Sequence, residues 1–159
     1  MANGVVKKSS AGKNILSAVA VAAGGFILLN LTFLLDFLFQ SALRAVFKPD
    51  TLDSGPGVNV PWLHVLFLLL IGLISWPVYS SKIPVLLKAT YTIVPIAVLL
   101  ATGGILLNQW PAAVWIAGAL IIIAILIWLY VKKQHWLYFY AVALTAVVLT
   151  LFFALGGEI

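Results

Sequence analysis

The sequence predicts an all-α, polytopic integral membrane protein: a bundle of five transmembrane helices with its N-terminus inside and its C-terminus outside. Three observations carry this expectation. The 159 residues are 64% hydrophobic and only 8% charged, with a mean hydropathy of +1.19. A soluble domain carries about 25% charged residues, which solvate its surface. Five continuous apolar runs each approach the ~20 residues that a helix needs to cross the hydrocarbon core. Seven of the nine Lys and Arg residues then fall on one side of the membrane those runs would cross.

The first run extends from Ile15 to about Leu38, and its helical pattern can continue to Phe47. The second is Trp62 to Tyr79, the third Pro84 to Leu107, the fourth Pro111 to Val131 and the fifth Trp136 to Leu155. None alternates in the manner of a barrel strand, so helices are the spanning form. Pro61, Pro84 and Pro111 suit first helical turns, where the missing N–H costs nothing. Pro95 lies well inside its run and is a better kink candidate than Pro77, which is nearer an end. Lys132-Lys133-Gln134 is so short a turn that the fourth and fifth helices should form an antiparallel hairpin. Residues 48–61, rich in Pro and Gly, form the one substantial loop. The length suits a single membrane domain over residues 1–159.

Orientation follows from charge. Positive residues favour the cytoplasmic side, and an inside N-terminus collects Lys7, Lys8, Lys13, Lys82, Lys88, Lys132 and Lys133 there. Arg44, Lys48, Asp50, Asp53 and Glu158 then lie outside. Trp62, Trp110 and Trp115 fall near the outer interface. Trp76, Tyr79, Trp128, Tyr130, Trp136 and Tyr138 fall near the inner one, as a membrane aromatic belt would place them. The lysines ahead of the first run imitate a signal peptide. That run is too long for one, and no small-x-small cleavage site follows it. It reads as an uncleaved first span, in a bacterial or archaeal cell membrane.

Several function classes drop out. The net charge is +5, yet no basic stretch exceeds two residues, so a nucleic-acid partner is not expected. The absence of cysteine removes thiolate metal sites and cysteine nucleophiles. No Gly-x-Ser-x-Gly, His-Glu-x-x-His or phosphate-binding glycine loop occurs. His64 starts the second span at the outer face and His135 the fifth at the inner face. A core ~30 Å thick separates them, so they cannot share a metal or haem. No cofactor is expected.

The polar residues that remain define the candidate sites. Asp36 stands within or beside a span, where an ionisable group is a functional hypothesis by default. It belongs to a stripe at i+4 spacing: Thr32, Asp36, Gln40, Arg44 and Lys48. Asp36 and His64 share a depth, so Asp36, Gln40 and His64, with Arg44 nearby, form a candidate outer-face site. The plainer alternative has Asp36 finishing a long helix among headgroups. Asn30 lies deeper, and its amide should face another helix. Ala18, Ala22 and Gly25 permit close helix approach. Thr90 and Thr92 either line a cavity beside Pro95 or bond back to their own helix. Lys88 has no acid on its side and should snorkel towards headgroups.

Three functions are compatible with this inventory. The first is a non-catalytic accessory subunit of a larger membrane assembly, with the lipid bilayer, other membrane subunits or a second copy as partners. The second is a small transporter or substrate-binding membrane protein with an outward-facing site near Asp36 and His64. The third is an enzyme acting on outer-leaflet lipid, with Arg44 holding a phosphate.

Overall fold

The computed structural model describes residues 9–46 and 61–154. Five helices follow one another: α1 (Ser9–Val46), α2 (Pro61–Ser80), α3 (Val85–Leu106), α4 (Pro111–Val131) and α5 (Trp136–Ala154). The chain is a helical bundle. α1 to α4 are each long and apolar enough to cross a membrane. α5 is shorter, with 19 residues, or about 28 Å at 1.5 Å per residue. The loop expected over 48–61, all but Pro61, lies outside the described residues, as do Lys7, Lys8, Lys48, Asp50, Asp53 and Glu158.

The helix ends follow local chemistry. Pro111 opens α4 at a position where its missing N–H would have had no partner. α4 closes in a Schellman arrangement. Gln134 N donates to Leu129 O at 3.0 Å, and Lys133 N donates to Tyr130 O at 3.0 Å. The geometry needs a left-handed residue, and Lys133 supplies it with φ 49°. His135 then caps α5, its Nδ1 accepting the Leu137 N–H at 3.3 Å. Four residues thus suffice to reverse the chain, and α4 and α5 pack against each other as the short turn requires.

α3 is the centre of the bundle and packs against all four other helices. α1 and α5 flank it and touch one another. α2 rests on α1 and α3, while α4 rests on α3 and α5. One buried cluster joins Val21, Ile93, Leu129 and Val142 from four helices. A second joins Phe67 and Ile71 of α2 to Val94 and Val98 of α3. α1 packs tightly on α3 at its glycines. A Cβ on Gly24 would sit 2.9 Å from Thr90 Cγ2, and one on Gly25 would collide with the Ile93 side chain. In hydrocarbon no hydrophobic force drives helices together, so close backbone approach of this kind carries the packing.

The tryptophans at both ends, Trp62, Trp110 and Trp115 at one and Trp76, Trp128 and Trp136 at the other, are exposed. Tyr138 departs from the expected belt. It is buried in the core cluster, because the first turn of α5 packs directly on its neighbours.

Candidate functional site

Alternation of direction brings the C-terminal half of α1 beside the N-terminal half of α2. On α1 the covered face follows helical spacing, with Val21, Gly25 and Thr32 buried and Asp36 and Gln40 half-buried. His64 is buried on the first turns of α2. Asp36 Oδ2 lies 3.2 Å from His64 Nδ1, and their side chains retain 17% and 10% exposure. Gln40 Nε2 donates to the same Oδ2 at 2.9 Å.

Gln40 Nε2 also lies 3.2 Å from His64 Nδ1 and 3.4 Å from its Nε2. A point nearly equidistant from both ring nitrogens is off the bonding axis of each, since those axes splay apart. The directed hydrogen bond of the group is Gln40 to Asp36, and His64 Nδ1 faces the same oxygen at ion-pair distance. Both nitrogens converge on Oδ2. The other oxygen, Oδ1, is shut away from solvent and has no hydrogen-bond partner among the described residues. Arg44 is half-buried one turn beyond Gln40 on the same face. The structure thus brings Asp36, Gln40 and His64 together.

The remaining candidates behave differently. Thr32 is buried and bonds back to Leu28 O at 2.7 Å. Thr90 bonds back to Leu86 O at 2.9 Å, and Thr92 to Lys88 O at 2.8 Å. Of the two options for these hydroxyls, self-bonding is the one adopted. Asn30 does not face another of the described helices. It is exposed, and Nδ2 donates to Phe26 O at 2.7 Å.

A second polar group lies at the other end of α2, and sequence reasoning missed it. Tyr79 Oη donates to Thr92 Oγ1 at 3.1 Å. Ser75 Oγ and Tyr91 Oη share a bond of 3.2 Å. Lys88 Nζ donates to Tyr79 O at 2.7 Å, so its long stem reaches a carbonyl at the end of α2. The signal available in the sequence was spacing. His64, Phe67, Ile71 and Ser75 recur at helical intervals on one face of α2, and Tyr79 is one turn further.

The described residues contain no group of three or more His, Asp or Glu able to hold a metal ion. An apolar groove of about 540 Å³ lies between α3, α4 and α5, bordered by Gly104, Asn108, Trp115, Gly118 and Ala146. It shares no lining residue with the Asp36–His64 pair. Together these features define a multi-pass helical membrane protein with two polar joints along α2. No protein-family model, curated protein or solved structure matches the chain.

Proposed function

We propose that this chain is a non-catalytic structural subunit of a larger membrane assembly, spanning a cell membrane with its N-terminus inside. One observation carries the reading: two clusters of polar side chains join one helix to its neighbour. Asp36 and Gln40 tie α1 to His64 of α2. Tyr79, Ser75, Tyr91, Thr92 and Lys88 tie α2 to α3. Such bonds fix relative helix position where apolar contact alone discriminates weakly. A scaffold held this way offers partners a defined apolar surface, and the inside lysines add attraction to anionic lipid.

The test is extraction of the tagged chain from native membranes in mild detergent, with the mass of the particle measured. The expected result is a membrane protein co-purifying at fixed stoichiometry and lost on Asp36→Ala. Recovery of the chain alone, monodisperse and stable, overturns the reading.

The unfilled Asp36 Oδ1 favours a second reading, in which the joint holds a proton or a small cationic substrate for transport. A carboxylate oxygen kept from water and lacking a donor is suited to receive one. Flux in liposomes that falls with Asp36→Asn and His64→Ala would support it. Flux indifferent to both would remove it.

A further inference from the structure

The outward face of α1 carries a regular pattern that the bundle leaves uncovered. Leu16, Ala20, Ala23, Ile27, Asn30, Leu34 and Phe37 succeed each other at alternating steps of four and three residues, and all are exposed. At 3.6 residues per turn they run along the side of α1 opposite its buried line of Val21, Gly25 and Thr32. Alternating steps of three and four are the seam of a left-handed helix pair. The stripe is about 32 Å long, close to the ~30 Å of the hydrocarbon core.

Asn30 says what covers this face. It lies fifteen residues after Ile15 and eight before Leu38, about 22 Å and 12 Å along the helix, and so within the hydrocarbon. Its single side-chain hydrogen bond among the described residues is the one back to Phe26 O. That leaves a carbonyl oxygen and one N–H, which lipid tails cannot satisfy. An identical amide at the same depth offers both complements. Two copies inserted in the same sense can bring their first helices together only in parallel, which sets Asn30 opposite Asn30 across a two-fold axis along the membrane normal. Ala20 and Ala23 reduce the bulk on that line and let the backbones approach. A polar residue at one seam position fixes register and partner number.

We propose that α1 is a homodimerisation helix and that its occupant is α1 of a second copy, in parallel and in register at Asn30. The proposal does not depend on the subunit reading, since it concerns the chain's contact with itself.

The cysteine-free sequence makes the test direct. Single substitutions Ala23→Cys, Ile27→Cys and Leu34→Cys are introduced into the full chain, with Phe33→Cys and Leu35→Cys on the two flanks of the stripe. Mild oxidation is carried out in native membranes. A disulfide requires Cα atoms within about 7 Å, so covalent dimers are expected at the three stripe positions and not at the flanks. Equal linkage at all five, none at any, or linkage to a different protein overturns the proposal. The exposed position of Asn30 allows a second measurement without disturbing the bundle. Asn30→Leu should raise the dimer dissociation constant in detergent about 3- to 10-fold, and Asn30→Gln should restore much of it. An unchanged constant in Asn30→Leu also overturns the proposal.

Discussion

α3 and α4 are neighbours of nearly equal length, and they invert the rule that governs soluble cores. α4 is the more apolar of the two, yet only Leu129 is buried. α3 carries Thr90, Tyr91, Thr92 and Thr102, and twelve of its residues are buried. In water the most apolar helix would occupy the centre. In lipid, exposing leucine and isoleucine costs nothing, so the centre goes to the helix whose hydroxyls need shelter and whose contacts are tight. α4, with no Ser, Thr, Asn or Gln in its length, is the natural edge.

Four substitutions set the contrast against measurement, each read as the change in unfolding free energy from titration with denaturing detergent in micelles. The largest effect is expected at the α1–α3 approach. Gly25→Leu places a side chain where Ile93 already stands, and overpacking of this kind costs about 3 kcal/mol. A cost near zero would mean that α1 does not seat on α3. Next comes Asp36→Ala, which removes the carboxylate that Gln40 donates to and His64 faces, at about 1–3 kcal/mol. Tyr79→Phe deletes one bond between α2 and α3, for about 0.6 kcal/mol. The smallest effect belongs to α4. Gly118→Ala should change stability by less than about 0.5 kcal/mol, because the nearest atom to its new methyl is Leu100 Cδ2 at 3.9 Å. A large loss there would show α4 to be a core helix.

Position along each helix was legible in the sequence, and rotation about each helix axis was not. Run length and proline position fix helix ends to within a residue or two for α2 to α5. The same logic puts Asp36, Gln40 and His64 at one level, and the i+4 stripe puts the first two on one face. Rotation fails where all faces are apolar, because no polar side then points to water. Asn30 is the clear instance. Its amide demands a partner, and the sequence alone leaves open whether that partner belongs to the same chain. Tyr79 was hidden for another reason. It sits where belt tyrosines collect, and only the approach of α3 turns its hydroxyl onto Thr92. Lys88 is similar, since the carbonyl it reaches belongs to a different helix.

α1 has 38 residues and is about 57 Å long, well beyond the ~30 Å hydrocarbon slab. Ten residues of continuous helix follow Asp36, a post of about 15 Å that carries Arg44. On the α1 side no helix end therefore pins the Asp36–His64 pair to a fixed height, whereas His64 stands on the first turn of α2. Acyl-chain length and the tilt of the post decide how far the pair stands from the headgroups. The polarity felt by this carboxyl and imidazole is then a property of the lipid composition as much as of the chain, and membranes of different thickness will present the same protein with different electrostatics.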